Sequence, residues 1–311
     1  MAKHTPPTDL QIPAFSVRQA LVGMEMQSAD EPILRYLDLW SRQVQIESAY
    51  FLHVVPDFSS FTPFPEEVRP PLLPDYEIGE QILQSMEKQI AETLTEKERI
   101  YVEYEVVEGD PLEELLLAAG DQAADLVVIG QRAQVERHRI QARNLVREAH
   151  GNVLIVPEQA RMQLSSVLVP VDFSAHSIRS YQTALALARQ FGDSLDIHLV
   201  HVYELPDLSV YKVSKTPAQF QKMVEENRQE ALELFLDSYT PAALRKRVKA
   251  RLVRKDLPGI AGYLHDYAQE QGVDLVVMGA KGHSKVELLL LGSVTEHFLG
   301  INSRVPTLVV K

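Results

Sequence analysis

The chain repeats itself, and the repeat bounds what it can fold into. "DLVVIG" at residues 125–130 returns as "DLVVMG" at 274–279, an offset of 149. "FLHVVPD" at 51–57 returns as "LVHVYELPD" at 199–207, with the histidines 148 apart. "ALVGMEMQSAD" (20–30) answers "VLVPVDFSAHS" (167–177), and each half closes on an apolar run, "NVLIVP" (152–157) and "VPTLVVK" (305–311). Matches in one order at a nearly constant offset mark a duplication. A period of about 150 residues is too long for a solenoid. The chain is therefore read as two copies of one domain, 14–158 and 164–311, with the seam in the polar stretch "PEQARMQLS" at 157–165.

Within each copy the hydrophobic period alternates. In the second, "SVLVPVD", "LDIHLVHVY", "RVKARLV" and "VDLVVMG" are short apolar or β-branched runs. Between them lie helical patterns: 177–192, with Ile178, Ala184, Leu185, Ala188 and Phe191 in phase and Gly192 as a stop; 217–239, long and charged; and 257–272, with Ile260, Leu264 and Tyr267 on one face. Runs as apolar as "VDLVVMG" are buried on both faces, as in a parallel sheet covered by helices. The expected fold is α/β: two tandem doubly wound domains, each with a mainly parallel five-stranded sheet flanked by helices. Asp110-Pro111 and Leu257-Pro258 are read as helix starts. The proline-rich insert at 58–76 is read as a surface loop.

Composition narrows the function. A hydrophobic content of 45% supports real cores, and a net charge of −12 argues against nucleic acid or an anionic membrane as partner. The absence of cysteine removes disulfides, thiolate metal sites and cysteine nucleophiles. The N-terminus lacks a signal-peptide pattern, and no apolar run approaches the ~18 residues of a membrane span. The expectation is a soluble cytoplasmic protein.

Glycine is spent unevenly. Of 14 in 311 residues, three fall in "GAKGHSKVELLLLGS", residues 279–293. Gly279 ends an apolar strand, where open parallel sheets bind ligands. Gly279 and Gly282 are expected to permit positive φ and close approach to a ligand. Gly292-Ser293 opens a helix, with Ser293 as the expected N-cap and Glu296 completing a capping box. A helix N-terminus beside a second amide-rich turn favours an anion. Neither a G-x4-G-K-[ST] loop nor a G-x-G-x-x-G fingerprint is present.

The spacing G-x2-G-x9-G-[ST] after an apolar strand resembles the nucleotide-binding pattern of the universal stress proteins, matched by Gly279, Gly282, Gly292 and Ser293. "VLVPVDFS", "LVHVYE" and "VPTLVVK" resemble the family's first, second and closing strands. The resemblance covers almost all of 165–311, and with the repeat the chain looks like a tandem member. It implies ATP as ligand, with Mg²⁺ left open. Asp172, after Pro170 and Val171, would meet the ribose or adenine, and the Val202 backbone would pair with adenine. Met278 would help form the pocket. Gly279, Lys281, Gly282, Gly292, Ser293 and Val294 would contact the phosphates. His283 and Ser284 either touch phosphate or Mg²⁺ or are solvated. Asp172 or Ser174 caps the following helix. His198 and His201, three apart on a strand, face opposite ways and make a poor metal pair.

The first copy departs from the pattern. Gly130 is kept, Ala133 stands at the second glycine, and Glu25 and Gly23 replace Asp172 and Pro170. The Gly-Ser pair becomes Arg143-Asn144 when aligned forward and His138-Arg139 when aligned backward from the closing strand. The cluster Arg132, Arg137, His138, Arg139, Arg143 and Arg147 is an anion site, a contact for the other domain, or a solvated basic face. The first copy is expected to hold a degenerate site.

With no triad and no general base beside the glycine loop, the leading expectation is an ATP-binding regulatory protein of the stress response without dedicated catalysis. Slow ATP hydrolysis or autophosphorylation, seen in parts of the family, is compatible with it. The rivals are a slow adenine-nucleotide hydrolase and a nucleotide-free interaction module. Because single-domain relatives dimerise through the closing strand, the resemblance implies an intramolecular pseudo-dimer, with a further homodimer left open.

Overall fold

The computed structural model describes residues 10–56, 75–95, 97–132, 136–205, 216–282 and 291–311. It comprises two compact units. One is residues 16–163; the other is 164–311 together with the stretch that ends at Phe15. Phe15 is tied to the second unit by a reciprocal pair, its N–H donating to Gln190 Oε1 and its carbonyl accepting from Gln190 Nε2, both at 3.0 Å. The proline-rich insert lies mostly outside the described residues.

In the first unit the order is β1 (Ser16–Met24), α1 (Asp30–Ser41), β2 (Gln45–Pro56), α2 (Asp75–Thr93), β3 (Tyr101–Gly109), α3 (Pro111–Asp121), β4 (Leu126–Gln131), α4 (Glu136–Glu148) and β5 (Asn152–Pro157). The second repeats it: β6 (Ser166–Pro170), α5 (Ala175–Gln190), β7 (Asp196–Tyr203), α6 (Pro217–Tyr239), β8 (Val248–Arg254), α7 (Ile260–Glu270), β9 (Leu275–Gly279), α8 (Ser293–Ile301) and β10 (Thr307–Val310). The sheets run β3-β2-β1-β4-β5 and β8-β7-β6-β9-β10. Every pairing described within each is parallel. This is a doubly wound α/β architecture. β4 and β10 are buried throughout, whereas β3 and β8 each keep exposed residues along their length.

The topology sets the cleft. The chain winds outward from β6 through β7 to β8, then returns to the other side of β6 as β9. Strand order reverses at β6/β9, where open α/β sheets leave a crevice at the carboxyl ends. Register shows the opening directly. β6 and β9 are matched only at Val167↔Leu275 and Leu168↔Val276, though β6 continues to Pro170 and β9 to Gly279. Past Leu168 the tips diverge.

The duplication extends to individual atoms. Asp274 accepts from the amides of Ser165 and Ser166 at 3.0 and 3.2 Å, and Asp125 accepts from those of Arg18 and Gln19 at 3.1 and 3.2 Å. His201 Nδ1 bonds the Val171 carbonyl and His53 Nδ1 the Met24 carbonyl, both at 2.8 Å. Both copies turn through a left-handed non-glycine residue after the first strand, Met26 (φ 56°) and Phe173 (φ 65°). Such a backbone costs of order 1 kcal/mol or more and needs surrounding packing to hold it. Around Phe173 that packing is aromatic: His201 at 4.6 Å and Phe235 at 5.6 Å between ring centroids, with Tyr181 and Tyr239 in turn against Phe235.

Local expectations divide. Asp110 caps α3 through its carboxylate, with Pro111 at the first turn, as expected. Leu257-Pro258 does not open a helix: α7 begins at Ile260, after Gly259 at φ 90°. Tyr181, not Ile178, is the large residue that α5 buries.

Candidate functional site

A cavity of about 520 Å³ opens at the divergent tips of β6, β7 and β9, within the usual range of small-molecule sites. Its floor is apolar. Val200 and Val202 project from alternate positions of β7, Ile260 and Leu264 come from one face of α7, and Met278 comes from the end of β9. Its upper wall is formed at two strand tips: Pro170, Val171 and Asp172 at the end of β6, and Gly279, Lys281 and Gly282 at the end of β9. Gly292, Ser293 and Val294 form the remaining side, at the start of α8. The structure thus brings together all the described residues expected at the site. His283 and Ser284 lie outside the described residues. Ser177, Val200, Ile260, Leu264, Leu291 and Thr295 also line the cavity, and the sequence reading did not include them. For Ile260 and Leu264 a signal existed, since their spacing put them on one helical face.

Two turns are stitched together over this cavity. The Gly292 N–H donates to the Ala280 carbonyl at 2.8 Å, the Ala280 N–H to the Val310 carbonyl at 2.9 Å, and Thr295 Oγ1 to the Gly279 carbonyl at 2.8 Å. The positive φ expected at Gly279 and Gly282 does not occur; the left-handed glycines among the described residues are Gly192, Gly259 and Gly272. What the motif's glycines supply is close approach. A Cβ on Gly292 would lie 3.3 Å from Gly282 N and Lys281 Cα, and one on Gly282 would lie 2.9 Å from Asp172 Oδ2. Gly279 differs, because a Cβ there would stand 2.9 Å from His176 Cβ and 3.1 Å from the His176 carbonyl oxygen. Gly279 therefore lets α5 pack on the strand tip. Gly130 does the same in the first domain, where a Cβ would meet Ala29 Cβ at 2.9 Å.

The expected capping box at Ser293 is not formed. Gly292 is the N-cap of α8, no side chain caps it, and Ser293 is the first helical residue. The unsatisfied amides of that first turn remain available to an anion. Ser174, not Asp172, caps α5 by accepting from the Ser177 amide at 3.2 Å. The Asp172 carboxylate accepts from the Ser174 amide at 3.0 Å and turns its other oxygen toward Gly282. Lys281 brings positive charge to the wall. Burial, followed by the field of Lys281, pushes the nearby Lys311 ammonium down to about 8.

His201 fixes the frame. Its bond to the Val171 carbonyl joins two strand tips that line the cavity, and it implies a proton on Nδ1. His198, on the other face of β7, instead meets the Tyr267 hydroxyl at 2.9 Å. Among the described residues, no group of three His, Cys, Asp or Glu could hold a metal ion.

In the first domain the corresponding positions carry side chains that contact one another. Glu25 stands where Asp172 does and lies 3.3 Å from His138 Nδ1, in the first turn of α4. His138, rather than Arg143, is thus the residue that reaches the cleft. Asp30, 1% exposed, accepts from the Glu25 and Gln27 amides at 2.9 and 3.1 Å. Arg132 donates to Gln27, and the Ser28 hydroxyl donates to Glu158 at 2.6 Å. Leu115 presses toward Gly23, where a Cβ would stand 3.2 Å from its Cδ2. Ala133 lies outside the described residues.

The two clefts should therefore respond oppositely to pH. Burial, then repulsion from Asp30, raises the Glu25 carboxyl from 4.5 to about 7. Folding takes up a proton there, so this contribution is full below pH 4.5 and is lost as pH rises through about 7. Burial lowers the His201 imidazole below 6.5, ahead of the opposing bond to Val171. Its contribution is full above pH 6.5 and is lost as pH falls through the folded value. Thermal unfolding from pH 5 to 8 should show a shallower alkaline decline in Glu25→Gln and a shallower acid decline in His201→Asn. Wild-type slopes in both variants would contradict these assignments.

A model described as the universal stress protein family matches the chain twice, over residues 19–157 and 164–311. A curated universal stress protein of Bacillus subtilis (strain 168) is 28% identical over 149 residues, spanning 47% of this chain and 99% of its own. One of Methanocaldococcus jannaschii is 25% identical over 146 residues, spanning 47% and 81%. Among solved structures, a universal stress protein from Archaeoglobus fulgidus DSM 4304 superposes with a TM-score of 0.60 at 18% identity, covering 94% of this chain and 96% of that one. A protein of Pseudomonas aeruginosa PAO1 described as functionally unknown gives 0.65 at 14% identity, covering 95% and 92%. These structural likenesses bear on the fold.

Proposed function

This chain belongs to the universal stress protein family, and on that premise we propose that its second domain binds one adenine nucleotide, ATP, as a regulatory ligand. The observation that carries this reading is the pair of bare-backbone turns, Gly279–Gly282 and Gly292–Val294, meeting over a cavity with an apolar floor. A base fits the floor of Val200, Val202, Ile260, Leu264 and Met278, with the Val202 backbone meeting its edge. Asp172 accepts the ribose hydroxyls, as carboxylates do in other α/β nucleotide sites. The phosphates take the amides of Gly282, Ser293 and Val294 and the charge of Lys281, and Mg²⁺ arrives with them. On this reading the first domain is the degenerate half, supported by Glu25 in place of Asp172 and by His138 3.3 Å from it. Mass spectrometry of ligand released from freshly purified protein should find an adenine nucleotide. Protein that neither carries one nor takes up Mg-ATP would contradict the reading.

The same reading makes the chain a pseudo-dimer in which the apolar closing strands 152–157 and 307–310 pair, with a cytoplasmic role in the stress response. It rests on the sequence argument that apolar edge strands are paired or covered. Small-angle scattering of two freely tethered domains would rule it out.

A further inference from the structure

Residues 10–15 precede the first domain in sequence, yet they belong with the second unit. Their last residue meets Gln190, which ends α5. The Phe15 N–H donates to Gln190 Oε1, and the Phe15 carbonyl accepts from Gln190 Nε2, both at 3.0 Å. A primary amide carries an acceptor and donors side by side, so this contact reproduces the two-bond exchange of a strand pair. Three residues earlier, Ile12 is 4% exposed, although Gln11 and Pro13 on either side of it are exposed. α5 bears a matching mark. Ala184, Leu185, Ala186, Leu187 and Ala188 are buried in succession. Five successive residues sweep more than one full turn. The C-terminal half of the helix is therefore covered on its outer side as well as against the sheet. α1, its counterpart, keeps Arg35 exposed and Leu39 half-buried.

We propose that the C-terminal half of α5 is a docking site for an extended peptide, and that residues 10–15 fill it in cis as a strap. Gln190 reads the backbone of the peptide and the surface beside it takes an aliphatic side chain, here Ile12. Strand-addition sites divide affinity and selectivity in the same way. The tether makes the encounter intramolecular, so a short segment with one buried side chain suffices. The strap also makes the first domain an insertion in the second fold: the chain leaves the second unit after Phe15 and re-enters it at Leu164. Ser177, in the first turn of α5, lines the cavity, so the strap grips the far end of a helix that forms part of its wall.

Hydrogen exchange on the full chain, followed by mass spectrometry, tests the strap without nucleotide. In the wild type, residues 10–15 should exchange at least tenfold more slowly than the same sequence as a free peptide. Gln190→Ala, and separately Ile12→Ser, should each speed exchange at 10–15 and at 184–190 at least tenfold, leaving α1 at its wild-type rate. Ile12→Ser is the sharper variant, because it alters no residue of 164–311 and reaches α5 only through docking. Circular dichroism of each variant checks that it is folded. Residues 10–15 that exchange like the free peptide in the wild type, a folded Ile12→Ser protein whose α5 keeps its wild-type rate, or one that loosens α1 in place of α5 would each overturn the proposal.

Discussion

Gly282→Val and Gly292→Val are expected to weaken ATP binding at least tenfold, ~1.4 kcal/mol, while shifting thermal unfolding little. Gly279→Val is expected to act chiefly on stability. The difference lies in what each new side chain would meet. At Gly282 the nearest atom is Asp172 Oδ2, at 2.9 Å, the free end of a side chain that can rotate. At Gly292 the nearest atoms, backbone of Gly282 and Lys281, stand at 3.3 Å, so the facing turn must give by a few tenths of an ångström. The valine methyls in both cases occupy the cavity wall where the phosphates are proposed to lie. At Gly279 the obstacle is the backbone of α5, with the His176 carbonyl oxygen at 3.1 Å. Overpacking of that kind costs about 1–3 kcal/mol. Calorimetry and thermal melts on the three variants separate the roles. Unchanged affinity in both Gly282→Val and Gly292→Val would mean that those glycines serve the turns alone. The first domain supports the division, since it retains Gly130 at the packing position and lacks glycine at the other two.

Asp274→Ala should cost the second domain about 3 kcal/mol or more of stability. The carboxylate is 1% exposed. One of its oxygens accepts from the amides of Ser165 and Ser166 and from both hydroxyls, the shortest contact being 2.7 Å to Ser165 Oγ. Truncation strands donors in a dry place, and each buried donor without a partner costs about 1–3 kcal/mol. Asp125→Ala is the internal control. It anchors the same two amides in the first domain, but its side chain is 30% exposed, so water can replace it and the loss should be smaller. These anchors sit at the amino ends of the strands, away from the cleft. ATP affinity of the folded Asp274→Ala protein should therefore match wild type. Equal losses from the two variants, or a loss of affinity in folded Asp274→Ala, would contradict this account.

Much of the architecture was legible because hydrophobic period is a local property of sequence. The pattern at 217–239 coincides with α6, and "NVLIVP" coincides with β5. That Gly279 stands at a ligand crevice was expected from its place at the end of an apolar run, whereas the strand order that makes the crevice comes from the fold. What escaped depends on distant backbone. A glycine is equally consistent with positive φ and with close approach, and only the fold shows that Gly279 faces α5 while Gly282 faces Asp172. Ser293 has the right chemistry for a cap, yet the chain enters α8 with Gly292 in that position. The bond from His201 to Val171 joins strands whose pairing no short window reveals. In the first copy, two alignments disagreed by five residues, and the approach of His138 to Glu25 decided which residue stands at the cleft.

The central claim is one adenine nucleotide per chain, held by the second domain, and titration calorimetry with Mg-ATP tests it most directly. The account predicts a stoichiometry near one in the wild type, loss of that binding in Gly292→Val, and its retention in Glu25→Gln. Two equivalent sites, no binding by nucleotide-free protein, or binding that survives Gly292→Val and disappears with Glu25→Gln would contradict it.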